Sequence, residues 1–307
     1  MSKKTQKLAK HYKKKVEKQK LQDLFLIKGK LDQLDGKNGD VIGINYQLTK
    51  SQYKFIKKHR PNLVCGPVDK IAYNTSTSSL DFYLPIPYKF NSSKMTCYFE
   101  LDENNDDKNI NVFEVNVSQQ DYPVRQLKVS KKHVELSQKA INRWLKEKAV
   151  QEKIYGSRTH KKHFFSPFEM PLTSKITSPY GYKRLFNNKK FSWHSGTDFR
   201  ARIGTKITPS NRGVVRFAGD LYFNGKTVII DHGMGIFTMY CHLSKLKVAE
   251  GEVVTKKTIL ALSGNTGRST GPHLHWGTKV NGEWVNGPML VEQTNQQFSR
   301  TRLPASK

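Results

Sequence analysis

Cysteines, acidic residues and long apolar runs are all scarce in this sequence. Its three cysteines are too few and too scattered for a disulfide framework or a cysteine-type zinc site. Because three is an odd number, one thiol stays unpaired; Cys65 and Cys97 either form a disulfide or are two small buried apolar residues. No stretch approaches the roughly 18 apolar residues that cross a bilayer, so we expect no transmembrane span.

The shortage of acidic residues leaves a large positive charge. Against 25 Asp and Glu stand 53 Lys and Arg, a net charge of +28 that is spread over both halves of the chain. Such a field attracts polyanions, whether nucleic acid, anionic lipid or an acidic cell-wall polymer. No known nucleic-acid-binding module is recognisable and aromatic residues do not interleave the basic runs, so we expect no specific nucleic-acid partner.

The N-terminal segment is the most basic part of the chain. It begins MSKKTQKLAKHYKKKVEKQK, which has the basic start of a signal peptide without the apolar segment that should follow. We predict that residues 1–64 form a basic arm, in part helical or disordered. This arm is either a solvated surface or a helix that contacts an anionic envelope surface.

The middle of the chain changes from a strand pattern to a helical one. Residues 65–130 contain short runs of alternating apolar residues, such as 80–84 and 112–117, which predict a small β-domain. Residues 131–165 predict a linker helix followed by a basic connector. The apolar residues with helical spacing in this linker are Leu136, Ala140, Ile141, Trp144, Leu145 and Val150.

Strands and glycine turns dominate residues 166–292, and residues 293–307 read as a polar C-terminal tail. The predicted fold class is therefore mainly β. A C-terminal antiparallel β-sheet domain is preceded by a small β-sandwich-like domain and a linking helix.

The C-terminal domain contains three short clusters of histidines. In HSGTDF, His194 precedes Asp198 and a glycine between them allows a local bend. MYCHLS contains His242, and GPHLHWG contains His273 and His275. Residues two apart in a strand face the same side, so the last two imidazoles project together. They either share a metal ion or divide the roles of ligand and base.

Each of these clusters alone is a weak signal, because an isolated His-x-His in a strand is more often structural. Together they provide nitrogen and carboxylate ligands that suit Zn²⁺ in an open, catalytic type of site. We therefore predict one zinc ion per chain.

The order of the clusters H-x-G-x-D-F, Y-x-H-L and G-P-H-L-H-x-G resembles the lysostaphin-type (LytM-like) zinc endopeptidases of bacterial cell walls. The resemblance covers about residues 170–290, including SPYGYKRLF and GNTGRSTGPHLHWG. Residues 65–130 are similar to the small β-domain of Gram-negative members. The resemblance implies that His194, Asp198 and His275 bind zinc.

The same resemblance implies roles for further residues. His242 and His273 would stand beside the attacking water and the scissile carbonyl, one of them acting as general base. Arg184 and Tyr240 would contact the substrate. For Arg184 the alternative is an ordinary surface arginine, and for Tyr240 it is a place in the core.

As a whole, the resemblance implies a zinc endopeptidase that hydrolyses peptide cross-links of peptidoglycan in cell-wall remodelling. A Gram-negative-type neighbour domain favours the D-alanine to diaminopimelate bond, with pentaglycine as the alternative. Peptidoglycan would be the partner, and the periplasm or cell envelope the location. The other function considered is a non-catalytic protein that binds the wall or activates an amidase.

Overall fold

A computed structural model describes residues 34–101, 109–130 and 134–300. The predictions for residues 1–33 and 301–307 lie outside these ranges. Within them the protein is mainly β, as predicted, and no helix is long and apolar enough to cross a membrane. The helices of the described residues are α1 (Lys50–His59), α2 (Gln138–Gly156) and α3 (Gly287–Arg300).

The first part of the chain forms a small sandwich of two sheets. The first sheet has the order β1-β8-β7-β3-β4 and the second the order β2-β6-β5. Their shared core contains Phe82 and Phe113, whose rings stack at 5.9 Å. The strands are β1 (Leu34–Lys37), β2 (Val41–Gln47), β3 (Asn62–Cys65), β4 (Val68–Ile71), β5 (Tyr73–Thr75), β6 (Ser79–Pro85), β7 (Lys94–Glu100) and β8 (Ile110–Ser118).

The prediction of a basic arm over residues 1–64 is corrected for its second half. Residues 34–64 form β1, β2, α1 and β3 of the sandwich. The lysines of α1 lie on its exposed face, whereas Phe55 and Ile56 enter the core. The basic composition of this segment is therefore that of a surface helix. Thr49 begins the helix as half of a capping box with Gln52.

The open question about the cysteines is resolved. Cys65 on β3 lies directly opposite Cys97 on β7, and the two form a disulfide inside the sandwich core. Cys241 is the free thiol and is buried.

The predicted linker helix is present as α2, which begins at the N-cap Ser137. Its apolar stripe is only partly used: Ala140 is buried, whereas Leu145 and Val150 remain about half exposed at 49% and 47%. The helix is anchored mainly at its C-terminal end, where Tyr155 is buried against Phe237 and Met239. Arg143 pairs with Asp220 at 2.9 Å on the C-terminal domain.

The C-terminal domain is built on a ten-stranded antiparallel sheet. Its main path is β10-β13-β20-β17-β16-β15-β18, and a separate three-stranded sheet has the order β12-β11-β9. The strands are β9 (Val124–Leu127), β10 (Ile176–Ser178), β11 (Lys183–Phe186), β12 (Lys190–Trp193), β13 (Gly196–Arg200), β14 (Lys206–Ile207), β15 (Gly213–Leu221), β16 (Gly225–Gly233), β17 (Ile236–Leu246), β18 (Val253–Val254), β19 (Ala261–Ser263), β20 (His273–Val280) and β21 (Glu283–Val285).

Residues 293–300 correct the prediction of a polar tail, because they continue α3. This helix packs against the small sandwich, where the Gln293 side chain accepts a hydrogen bond from the Gly43 amide at 3.0 Å. Thr294 is fully buried and its hydroxyl accepts from the Phe168 amide at 3.0 Å. The polar composition of this segment therefore reflects hydrogen bonding between elements.

The sandwich and the C-terminal domain are joined by a shared core. Val41 and Tyr83 of the sandwich pack with Phe164, Ile236 and Leu290 in one buried cluster. A second join is the parallel pairing of β9, which follows the sandwich, with β11. The small domain is therefore attached close to the region that contains the histidine clusters.

Candidate metal centre

Two neighbouring strands place a carboxylate and an imidazole side by side. Asp198 on β13 is the direct partner of His275 on β20 in the antiparallel register. Directly opposed side chains lie on the same face of a sheet. The next pair along the two strands, Phe199 and Leu274, points to the other face and enters the hydrophobic core. The core residues thus fix the register that brings Asp198 and His275 together.

His194 reaches the same place from the turn after β12. Its backbone N–H donates to the Tyr182 carbonyl at 2.9 Å, and its own carbonyl accepts from the Gly181 amide at 2.8 Å. The imidazole Nδ1 lies 2.7 Å from the Pro179 carbonyl oxygen. A carbonyl can only accept, so the ring proton is on Nδ1 and the lone pair is on Nε2.

Three potential ligand atoms converge on one point. Nε2 of His194 is 2.9 Å from Oδ1 of Asp198 and 3.0 Å from Nδ1 of His275, and the last two atoms are 2.8 Å apart. All three residues are buried, with exposed fractions of 1%, 6% and 8%. Their side chains could together hold a metal ion.

The arrangement fits a cation better than a hydrogen-bonded cluster. With the His194 proton on Nδ1, a lone pair of Nε2 faces the acceptor oxygen of Asp198 at 2.9 Å with no proton to share. A divalent ion satisfies both atoms, and two imidazoles with one carboxylate are a donor set that zinc accepts. The residues present therefore fit Zn²⁺.

Burial and neighbouring charge set the protonation of the cluster. Burial lowers the pKa of His194 to about 4, even though Asp198 opposes the shift. Burial alone would raise the pKa of Asp198, but the imidazoles of His194 and His275 hold it well below its usual value. At neutral pH the cluster therefore offers the neutral imidazole and ionised carboxylate that metal binding needs.

His242 lies beside this cluster on an irregular part of β17. The register between β16 and β17 shifts at this point, and His242 has a positive φ of 59°. A bulge with left-handed backbone redirects a side chain, at a cost that functional sites commonly bear. The His242 ring stands 4.7 Å from that of His273 and 6.0 Å from that of His275.

The rings of His242 and His273 are held in the same way. Nδ1 of His242 donates to the Thr266 carbonyl at 2.7 Å, and Nδ1 of His273 donates to the Gly271 carbonyl at 2.8 Å. Each ring therefore keeps Nε2 as the nitrogen with a lone pair. Nε2 of His273 is 3.8 Å from Oδ1 of Asp198, at the edge of the metal cluster.

Gly196 is required for a close approach. A Cβ built on it would lie 2.5 Å from the Trp276 carbonyl oxygen and 2.8 Å from Nε2 of His275. Gly196 is the first residue of β13. Its lack of a side chain makes room for the ligand opposite.

We expect Gly196→Ala to displace His275 and to disturb metal binding. A misplacement of about 1 Å at a reacting centre costs roughly a hundredfold in rate, so activity should fall at least that far. Zinc content per chain, measured by atomic absorption, should fall with it. Gly204→Ala is the control, because nothing lies within 4 Å of its Cβ position. Since Gly204 has a positive φ, this variant should lose a little stability but no zinc. A Gly196→Ala protein with full zinc content and activity would contradict this explanation.

The two residues predicted to contact substrate differ in position. Arg184 lines the groove, where its guanidinium donates to Oδ2 of Asp198 at 2.7 Å and to Oγ of Ser178 at 3.2 Å. The structure thus engages Arg184 with the carboxylate of the His-Asp-His cluster. It remains accessible from the groove, and a substrate contact for it stays a prediction.

Tyr240 is corrected to a core residue. It is fully buried, and its hydroxyl accepts from the Ser210 amide at 2.8 Å and contacts the Thr238 hydroxyl at 3.0 Å. It does not line the groove that contains His242. The bulge explains the difference, because it breaks the two-residue alternation that would place both side chains on one face.

The histidine cluster forms the floor of a groove of about 450 Å³. One wall contains Arg125 and Leu127, which belong to β9 and hence to the segment after the sandwich. Sequence reasoning did not identify these residues or Arg268 as part of the site. Their signal is weak, because β9 has no special motif and becomes a wall only through its pairing with β11.

The fold and the site together define a metallopeptidase-type domain: an antiparallel β-sheet with a His-Asp-His cluster in an open groove. Residues 192–287 match the model of Peptidase family M23. This matched segment of the chain is a Peptidase M23 (LytM-like) domain. His194, Asp198, His242, His273 and His275 all lie within the matched residues.

Named relatives support this membership. The chain is 43% identical over 119 residues to the peptidoglycan DD-endopeptidase ShyA of Vibrio cholerae. These aligned residues cover 38% of this chain and 28% of ShyA. It is 40% identical over 113 residues to the DD-carboxypeptidase/endopeptidase Mpg of Neisseria meningitidis, covering 37% of this chain and 26% of that one. The match therefore spans little more than a quarter of the length of these curated relatives.

A solved structure extends the likeness to the small sandwich. A structure from Pseudomonas aeruginosa that carries the name peptidase M23 matches with a TM-score of 0.62 at 22% identity. The match covers 89% of this chain and 99% of that one. At this identity it shows the fold, including the arrangement of a sandwich before the peptidase-type domain.

Proposed function

We propose that this protein is a zinc-dependent endopeptidase that hydrolyses peptide cross-links of peptidoglycan. The observation that supports this most directly is the convergence of His194, Asp198 and His275, with two further imidazoles beside them. Family membership and the names of the relatives support peptidoglycan as the substrate. The DD-endopeptidase names favour the D-alanine to diaminopimelate bond over pentaglycine.

The chain's own residues divide the chemistry. A bound zinc ion supplies Lewis acidity, which polarises the scissile carbonyl and makes an attacking water more acidic. His242 and His273 each direct Nε2 away from the backbone carbonyl that holds Nδ1; this nitrogen can take a proton from water, and the resulting imidazolium can pass it to the leaving amine. Arg184 holds Asp198 in place through Oδ2 and leaves Oδ1 to the metal cluster.

The location follows from the substrate. An enzyme that cuts peptidoglycan works in the cell envelope, and for a Gram-negative cross-link this is the periplasm. The net charge of +28 favours attraction to an anionic envelope surface. We assign the basic N-terminal residues to that contact as part of the proposal.

The test is cleavage of defined muropeptide dimers by the purified full chain, with mass spectrometry of the products. We expect the dimer joined by a D-alanine to diaminopimelate bond to yield monomers and a pentaglycine-bridged dimer to stay intact. A chelator should stop the reaction and added Zn²⁺ should restore it, because coordination of the ion by its ligands is reversible. Cleavage that persists after verified removal of all metal would contradict the proposal.

A further inference from the structure

Arg268 occupies a distinct position in the wall of the groove. It lies in the loop between β19 and β20, a few residues before His273, and its backbone N–H donates to the Phe223 carbonyl at 2.8 Å. Its side chain is half-buried and faces the same groove as the metal cluster. The proposed function gives this side chain no role.

Two aromatic rings hold the Arg268 guanidinium in a fixed orientation. Its central carbon lies 4.5 Å from the ring centre of Phe186 on β11 and 4.5 Å from that of Phe223. Arginine stacks on aromatic faces while its N–H groups stay free to donate at the edge of its plane. The contacts with these two rings therefore orient the guanidinium N–H donors before a ligand binds, which lowers the entropy cost of binding.

The other arginines of this groove are already engaged. Arg184 pairs with Asp198, and Arg125 donates to the Thr177 carbonyl at 3.0 Å while lying over the Tyr182 ring. Among the residues that the structure describes, no carboxylate pairs with Arg268. Burial, together with nearby Arg184, lowers the pKa of Arg268 to about 10, so the side chain remains charged at neutral pH.

We propose that Arg268, clamped between Phe186 and Phe223, is a specificity subsite that binds a free carboxylate of the peptide substrate. The inference rests on the proposed function, since peptidoglycan stem peptides supply such carboxylates on D-glutamate and diaminopimelate. The planar guanidinium matches a carboxylate with two parallel hydrogen bonds. Neutral peptides, including pentaglycine bridges, lack this group beside the scissile bond.

The test compares two muropeptide dimers that differ in one functional group. One has free diaminopimelate side-chain carboxylates, and in the other these carboxylates are amidated. We expect the wild-type chain to cleave the first with a kcat/KM about tenfold higher, the effect of one charge-assisted contact. In Arg268→Gln this ratio should fall to near one, mainly through a higher KM for the free-carboxylate dimer. Arg268→Lys should keep part of the preference, because lysine keeps the charge but cannot form the two parallel hydrogen bonds of a guanidinium.

Several outcomes would overturn the inference. These are no preference in the wild type, a preference that survives in Arg268→Gln, or an equal loss on both dimers, which would mean a structural role. Melting temperatures of the variants identify misfolding; if Arg268→Gln is unfolded, the same ratios are measured in Arg268→Lys and Arg268→Met.

A binding measurement separates this inference from the proposed function. If the wild-type chain cleaves neither dimer, the proposed function fails. Calorimetry of the zinc-loaded full chain with the free and amidated dimers then still tests the subsite, with the same expected ratio and the same dependence on Arg268.

Inorganic phosphate serves as the control anion, which competes with the peptide carboxylate for Arg268. Phosphate that binds as tightly as the peptide would indicate a general anion site and overturn the assignment to a peptide carboxylate.

Discussion

The His194→Ala protein is expected to lose both its zinc and its activity. The substitution removes a buried ligand whose Nε2 lies within 3.0 Å of both other ligand atoms. Asp198 and His275 alone form an incomplete site, so zinc per chain should fall from about one to near zero. Cleavage of muropeptide dimers should fall by about a thousandfold or more, because the Lewis acid supplies several kcal/mol.

The matched control for this experiment is His59→Ala. His59 is exposed at the end of α1 in the sandwich, where its ring stacks on Phe55, far along the chain from the cluster. This variant should keep its zinc and its rate. A His194→Ala protein with wild-type cleavage would end the assignment of the metal centre, whereas one that keeps zinc but not activity would assign His194 to another role.

His242→Ala is expected to separate metal binding from catalysis. His242 belongs to the groove but not to the cluster of ligand atoms, and its ring is 6.0 Å from that of His275. The variant should therefore bind about one zinc ion per chain and fold normally. Its kcat should fall by about a hundredfold to ten-thousandfold, the usual contribution of a general acid or base.

His273→Ala provides the comparison, because both imidazoles are held by a backbone carbonyl at Nδ1. If the two act as a unit, the double variant should be little worse than the poorer single one. The base is the residue whose loss removes the acidic limb of the pH–rate profile. Full activity in His242→Ala would show that His273 is sufficient and would remove His242 from the mechanism.

Sequence alone singled out the histidines and the aspartate that the structure brings together, but not their whole geometry. His273 and His275 could be placed on one face by strand alternation, and Leu274 enters the opposite layer as that pattern requires. The pairing of Asp198 with His275 depends on a register set across some eighty residues, which no local pattern fixes. The resemblance to a known family bridged that gap.

The errors have local physical causes. Tyr240 was assigned to the substrate groove through the family resemblance, with a place in the core as the alternative, and the register shift beside His242 leaves it in the core. Residues 34–64 were predicted as part of an arm together with the lysine-rich start of the chain, although Phe55 and Ile56 of α1 pack inward. Arg125 was not recognised because a parallel strand pair between domains leaves no signature in sequence.

The small sandwich also supports the metal cluster from behind. Tyr88 of the sandwich stacks on Trp193 with ring centres 4.2 Å apart and planes only 8° from parallel, and its hydroxyl donates to the Gly181 carbonyl at 2.9 Å. Trp193 is the residue immediately before His194, and the Gly181 amide donates to the His194 carbonyl at 2.8 Å. His194, a proposed metal ligand, is thus aligned by a residue outside the segment that matches the family model. A shortened chain that keeps only the matched segment would retain the histidine cluster but lose the Tyr88 ring that stacks on Trp193. It would also lose the groove wall that contains Arg125 and Leu127.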